Sequence, residues 1–289
     1  MKLLKELFWA SRPVSWINTA YPFAMGYWML THRIDATLII GTFYFLIPYN
    51  LLMYGINDVF DYESDLRNPR KGSIEGAILS PRWHKPILWT AALSNLPFVV
   101  WLALGRNPLQ LTLLLFVVFM VVAYSMKGMR FKEVPILDSF TSACHFVGPL
   151  VVGVAFANGS LVAGDSGSII LAFTLWGMAS HAFGAVQDIL ADREGGISSV
   201  ATVLGARFTV WLAFGAYFFA GFALLLSSWP ASLASVVAVP YLFMVAPFLG
   251  IDDATCEKAN DGWKQFIRIN YLAGFLVTLQ IILMQLGWL

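Results

Sequence analysis

Nine stretches of near-membrane length run through this chain: residues 14–30, 37–57, 84–104, 109–126, 136–157, 167–187, 208–228, 233–250 and 266–285. A helix needs about 20 mostly apolar residues to cross the hydrocarbon core of a bilayer. In lipid, each backbone polar group must be satisfied within its own segment, so such stretches fold as helices. Only 12% of the 289 residues are charged, against about 25% in a soluble domain. The sequence therefore predicts an all-α integral membrane protein of nine transmembrane helices. No linker is long enough to separate domains, and residues 1–289 are expected to form a single transmembrane domain.

The basic residues predict an orientation. Sixteen of the 18 lysines and arginines fall on one side. They are Lys2, Lys5 and Arg12; Arg67, Arg70, Lys71, Arg82 and Lys85; Lys127, Arg130 and Lys132; Arg193 and Arg207; and Lys258, Lys264 and Arg268. Only Arg33 and Arg106 fall on the other. The bias places the N-terminus in the cytoplasm and the C-terminus outside, in a multi-pass protein of the cell membrane. Arg12-Pro13 interrupts any signal-peptide core, so the N-terminus is expected to be retained. A net charge of +1 suggests no nucleic-acid partner. Cys144 and Cys256 form no CxxC motif or disulfide framework, and packing is their expected role.

Two acidic clusters close inward-running segments. The first is Asn57-Asp58-Val59-Phe60-Asp61-Tyr62-Glu63-Ser64-Asp65; the second runs from Gln187-Asp188 to Asp192-Arg193-Glu194-Gly195-Gly196. On one helix, Asp58, Asp61 and Asp65 share a face, as do Asp188 and Asp192. Carboxylates about 6 Å apart repel by roughly 2–3 kcal/mol at an effective dielectric near 20. Crowding them makes sense around a cation. Hard oxygen ligands in an open site suit Mg²⁺ bridging to a substrate diphosphate. Asn57, Asp58, Asp61, Asp65, Asp188 and Asp192 are the candidate metal ligands, and the five aspartates are the candidate catalytic residues.

Nearby cations can neutralise a diphosphate. Arg70 and Lys71 follow the first cluster; Tyr124, Lys127 and Arg130 lie in the loop after the fourth segment, where Lys127 follows a helix end directly. If the bond to the diphosphate ionises, an allylic cation forms and needs a dry chamber whose aromatic faces can stabilise it. Trp16, Tyr21, Tyr44, Tyr49, Tyr54, Trp176 and Phe183 are candidate linings, although most aromatics in such a chain serve packing or face lipid. Asn50, Tyr54, Asn57 and Asp61 form a polar stripe leading to the first cluster. Asn18, Asn50, Tyr54, Asp138, His145 and Trp176 are the candidate chamber residues. Asp138 suits an N-terminal helix cap as well as a functional acid. For His145 and His181 a structural hydrogen bond is the plainer role, and Asp252 and Asp253 read as a solvated loop.

Asn57-Asp58-x-x-Asp61-x-x-x-Asp65 resembles the first aspartate motif of the UbiA-type intramembrane prenyltransferases. Asp188-x-x-x-Asp192 resembles their second motif, with Gly196 where a third aspartate can stand, and Tyr124 to Lys127 resembles their Tyr/Lys loop. Longer stretches resemble the lycopene elongase branch. These include Ser11 to Phe23, Tyr54 to Asp65, Asn68 to Gly72, Trp176 to Ser180, Gly184 to Asp188, Ser198 to Thr202, and Asp253 to Glu257 with Trp263-Lys264. The resemblance implies a UbiA-like bundle with cytoplasmic aspartate motifs. It also implies Mg²⁺-dependent transfer of a dimethylallyl group from dimethylallyl diphosphate to the ends of lycopene, giving C45 and C50 carotenoids. Association with carotenoid cyclase subunits is a further expectation. An aromatic or quinone-type acceptor is the nearest alternative. A transporter using the acidic clusters is disfavoured, because transporter ion sites usually lie near the bilayer midplane.

Overall fold

The structure is a computed structural model that describes residues 2–66 and 79–289, apart from the side chains of Ser64 and Asp65. Among the described residues it is helical throughout, with no strand. Its contacts gather the chain into two compact units, one of residues 1–132 and 144–161, the other of residues 133–143 and 162–289.

The first unit begins with α1 (Lys2–Ala10), then α2 (Trp16–Thr31), α3 (Ala36–Leu46), α4 (Pro48–Phe60) and α5 (Tyr62–Asp65). It continues through α6 (His84–Ala103) and α7 (Pro108–Ser125). The larger part of α8 (Leu137–Phe156) completes it. Where α2 meets α8, glycines let the backbones touch. A Cβ on Gly153 would sit 2.5 Å from the Phe23 carbonyl oxygen, and one on Gly26 would sit 2.8 Å from that of Leu150. Small residues serve in this way where helices pack in lipid.

The expected second span, 37–57, is one membrane-length segment of two helices, Ala36–Phe60. Pro48 causes the break, since proline lacks a donor and clashes with the preceding turn. The carbonyls freed at the break need other partners in lipid. Asn50 supplies them: its side-chain amide lies 2.9 Å from the Phe45 carbonyl and 3.1 Å from that of Leu46, and 2.6 Å from the Thr19 hydroxyl. Thr19 donates to Phe45 O at 2.6 Å, and Asn95 donates to Pro48 O at 2.6 Å. This polar cluster is sealed from solvent, with Asn50 and Thr19 both fully buried.

The second unit holds α9 (Gly164–Val186), α10 (Ile189–Glu194), α11 (Val200–Leu204) and α12 (Ala206–Leu225). It then holds α13 (Ala238–Val245), α14 (Ala259–Trp263) and α15 (Phe266–Gln285). Helices α9 and α12 pack through small residues, Ala172, Ala179 and Ala182 from one and Ala213, Ala220 and Ala223 from the other, all buried. Ser180 and the Tyr217 hydroxyl hydrogen-bond at 2.9 Å within this unit. Cys256 is fully buried and Cys144 nearly so, which matches their expected packing role.

Among the described residues, eight helical segments are long and apolar enough to span a membrane, one fewer than expected. The missing one is 14–30. It does fold as a helix, α2, and the 3-10 turn Pro13–Ser15 runs straight into it, so it is as long as the span Pro108–Ser125. What sets it apart is composition, since Asn18, Thr19, Tyr21, Pro22 and Tyr27 make it less apolar than the eight.

Candidate active site

In the first unit, α4 ends at Phe60, and Asp61 takes the C-cap position before the four-residue α5. The expectation of one continuous helix bearing Asp58, Asp61 and Asp65 is therefore corrected. Asp58 belongs to α4, Asp61 to the break and Asp65 to the next helix. Asp58 is 1% exposed and Asp61 8%. Arg12 donates to Asp58 Oδ1 at 2.7 Å, and its guanidinium lies 4.4 Å from the centre of the Tyr54 ring. Lys132 pairs with Asp61 Oδ1, and Arg130 Nη2 lies 3.7 Å from the same oxygen. Ser125 donates to Asn57 Oδ1 at 2.8 Å. Arg12 and Arg130 both have positive φ, 48° and 43°. For non-glycine residues this backbone costs about 1–3 kcal/mol and is favoured at functional sites.

Of the expected diphosphate residues, Arg130 reaches the motif and Lys127 does not. Lys127 is exposed on the turn after α7 and makes no ion pair among the described residues. The chain turns left-handed at Gly128 and again at Arg130, and it is Arg130 and Lys132 that meet Asp61. Tyr124 is half-buried with its ring 4.9 Å from His145, edge to face. Arg70 and Lys71 lie outside the described residues, as does the Asp65 side chain.

The candidate chamber residues divide. Asn18 is half-buried on α2, and Tyr54 is half-buried beneath Arg12. Asn50 bridges the α3–α4 break, a structural task that the polar stripe did not reveal. His145 is buried on α8, and its carbonyl accepts from the Tyr49 hydroxyl at 3.2 Å. In the second unit, Trp176 stacks on Phe266 with centroids 5.9 Å apart and meets Tyr241 edge-on at 6.1 Å. Asp138 is fully buried and acts as a cap: Oδ2 accepts from Val200 N at 2.7 Å and Oδ1 from Ser139 N at 2.6 Å. Val200 begins α11. His181 Nδ1 lies 3.1 Å from the Ser139 hydroxyl, the structural hydrogen bond that was expected.

The second motif also sits at a break. Helix α9 ends at Val186, Asp188 takes the N-cap position of α10, and Asp192 lies within α10. Asp188 and Asp192 remain one turn apart, with Asp192 N donating to Asp188 O at 2.8 Å, and both side chains are half-buried. Asn260 donates to Gln187 Oε1 immediately before the motif. The Asp253 side chain is solvent-exposed, as expected, and is also structural. It accepts from Arg193 Nη1 at 2.7 Å and from Ala206 N at 2.6 Å. Those two donors hold its carboxyl below the ordinary 3.8.

Among the described residues, no three acidic, histidine or cysteine side chains gather to hold a metal by themselves. Asp58 and Asp61, with the Asn57 carboxamide, nonetheless form the hard-oxygen donor set that suits Mg²⁺. That ion binds through one or two carboxylates and takes its other ligands from water and substrate phosphates. Arg12, Lys132 and Ser125 are the first-motif partners that sequence reasoning missed. Arg12 is 46 positions from Asp58 and Lys132 is 71 from Asp61, so no periodic pattern links them. The Arg12-Pro13 interruption just before the first apolar segment was the one available signal.

Membrane-length helices, with an aspartate motif paired to cations at a span's end, are the features of a multi-pass membrane protein suited to handling a metal-bound diphosphate. The match to the UbiA prenyltransferase family covers residues 19–270, so the chain belongs to that family and is a prenyltransferase. It is 52% identical over 287 residues to the C(50) beta-cyclic carotenoids biosynthesis protein LbtBC of Dietzia sp. (strain CQ4). That match covers 99% of this chain and 66% of the Dietzia protein, so the chain spans just under two thirds of that relative. It is 44% identical over 282 residues to a lycopene elongase/hydratase of Corynebacterium glutamicum, covering 98% of each. In fold it is similar to a UbiA homolog from Archaeoglobus fulgidus bound to GPP and Mg²⁺, with a TM-score of 0.65 and 17% identity over 94% of this chain and 99% of that one. Neither the structure nor these relatives support the expected association with carotenoid cyclase subunits.

Proposed function

We propose that residues 1–289 act as one Mg²⁺-dependent prenyltransferase domain that moves a dimethylallyl group from dimethylallyl diphosphate to the ends of lycopene. Asp58 and Asp61 at the end of a membrane-length segment, with Arg12, Arg130 and Lys132 upon them, carry the diphosphate half of this reading. The name of the Corynebacterium relative, matched along 98% of both chains, supports the acceptor half. The charge bias of the loops supports a cytoplasmic N-terminus and cytoplasmic aspartate motifs.

Asp58, Asp61 and Asn57, with Asp65, would hold a metal ion in the first unit, and Asp188 and Asp192 would hold one in the second. When bound, Mg²⁺ supplies positive charge that stabilises the departing diphosphate more than the intact ester. Arg12, Arg130 and Lys132 add charge-assisted hydrogen bonds to the diphosphate oxygens. The C–O bond breaks and its electron pair leaves with the diphosphate. The terminal alkene of lycopene attacks the allylic carbon, and the new tertiary cation loses a proton or is captured by water. Lycopene carries no polar group, so it enters sideways from the bilayer.

The test supplies labelled dimethylallyl diphosphate to membranes containing the protein, with lycopene or an aromatic acid. Label is expected in lycopene, lost on chelation and restored by Mg²⁺. Label in the aromatic acid alone refutes the acceptor, and transfer undiminished in excess chelator refutes the metal.

A further inference from the structure

A six-residue helix cannot hold itself together, because helix nucleation is costly and short helices are marginal in water. Helix α10, which carries Asp192 and follows directly on Asp188, is such a helix. Its ordering comes from two neighbours. Ile189 is fully buried at its start. At its end, Arg193 spreads its fork over two acceptors: Nε and Nη2 donate to Thr202 O at 3.2 and 2.8 Å, and Nη1 donates to Asp253 Oδ2 at 2.7 Å.

Both acceptors are anchored. Thr202 lies in α11, whose N-terminus is fixed by the Ser199–Thr202 capping box and by Asp138 on Val200 N. Asp253 uses its other oxygen to cap α12 through Ala206 N at 2.6 Å. Its own segment is started by Asp252, which caps Thr255 N at 3.0 Å. Gly205, between α11 and α12, has φ +77° and keeps this corner open: a Cβ there would meet Asp253 Oδ1 at 3.1 Å. Arg193 thus ties α10 to the carbonyl end of α11, and Asp253 ties Arg193 to the amide end of α12. Each charge sits at the helix end that favours it.

We propose that Arg193 and Asp253 are positioning residues. They fix α10 so that Asp188 and Asp192 are set to bind the Mg²⁺-diphosphate, an inference that rests on the function proposed above. The pair is exposed, 41% and 40% by side chain, and exposed ion pairs contribute little to global stability. Its effect therefore falls on the order of α10 and on the ligand, not on folding.

The experiment compares Arg193→Gln, Arg193→Lys, Asp253→Asn and their Gln/Asn double with Asp188→Ala in detergent. Asp253→Asn keeps an oxygen for Ala206 N. Calorimetry measures binding of Mg²⁺ with inorganic diphosphate, hydrogen exchange follows the amides of residues 189–194, and turnover is titrated with Mg²⁺ and with lycopene. Arg193→Gln and Asp253→Asn are each expected to weaken Mg²⁺-diphosphate binding about 10-fold, as the loss of an outer partner of a metal ligand does. They should speed exchange across α10 and leave the lycopene dependence and thermal midpoint near wild type. The double is expected to be no worse than either single variant, and Arg193→Lys to recover part of the loss. Wild-type binding and exchange in both single variants, alongside loss of binding in Asp188→Ala, overturns the clamp alone. Retained binding in Asp188→Ala overturns the metal role of the second motif.

Discussion

Removing Arg12 gives the sharpest test of how the first motif is held. The Asp58 side chain is fully buried, while that of Arg12 is 20% exposed, with 2.7 Å between Nη2 and Oδ1. Breaking a buried pair by deleting one partner costs about 3–5 kcal/mol, because a charge stays behind in a medium that solvates it poorly. The partial exposure of Arg12 places this case at the lower end, near 3 kcal/mol. Loss of the guanidinium from the Tyr54 ring, 4.4 Å away, adds about 0.5–1 kcal/mol. Arg12→Ala is thus expected to lower unfolding stability by about 3–4 kcal/mol, more than two decades in the folding equilibrium. Asp58→Asn in the same chain removes the stranded charge and should recover much of that. The assay is equilibrium unfolding in mixed micelles of rising SDS content, followed by tryptophan fluorescence, for both single variants and the double. A coupling above about 1 kcal/mol, of the sign that makes the double milder than the sum, is the signature of a working pair. A loss below about 1 kcal/mol for Arg12→Ala, or strict additivity in the double, refutes the reasoning.

Lys132→Ala should weaken diphosphate binding by about 10- to 150-fold, the worth of one charge-assisted contact, whereas exposed Lys127→Ala should leave it nearly unchanged; titration with labelled dimethylallyl diphosphate separates them. Gly153→Ala should destabilise by about 1–3 kcal/mol through forced overpacking, since its Cβ would meet backbone atoms Phe23 O at 2.5 Å and Tyr27 N at 3.1 Å. Gly215→Ala in α12 meets nothing within 4 Å and should stabilise slightly, so comparing the two unfolding midpoints isolates the close approach. Asp253 titrates below its ordinary 3.8 when folded, so its contribution is complete above that value and fades as pH falls through the lower folded value. The protection of residues 189–194 against hydrogen exchange should therefore exceed that of Asp253→Asn by a constant factor at neutral and mildly acidic pH and converge with it below pH 3.8; a constant factor through that range contradicts the assignment.

What the sequence disclosed follows from the range of the interactions involved. Spans such as 84–104 and 109–126 were legible because hydrophobicity accumulates locally, and the helices Pro81–Ala103 and Pro108–Ser125 lie within three residues of them. The aspartates were legible because several carboxylates at the end of an apolar run are costly unless something binds there. Their surroundings were not. Asp188 and Asp192 keep their one-turn spacing because both follow the end of α9 at Val186. Helical spacing also put Asp58, Asp61 and Asp65 on one face, yet α4 stops at Phe60. A period computed across such a break describes a helix that does not exist. Asn50 illustrates the opposite error. A polar residue in a membrane helix has two physical explanations, a ligand or an unsatisfied backbone, and Pro48 two positions earlier tips the balance toward the second, because it leaves the Phe45 and Leu46 carbonyls to be covered. Asp138 resolves in the same way, toward the first amide of α11, Val200 N. The rule these residues support is that intramembrane polar side chains should first be tested against nearby helix breaks. Only those that no break consumes, such as Asp58 with its distant Arg12, then carry a claim to chemistry.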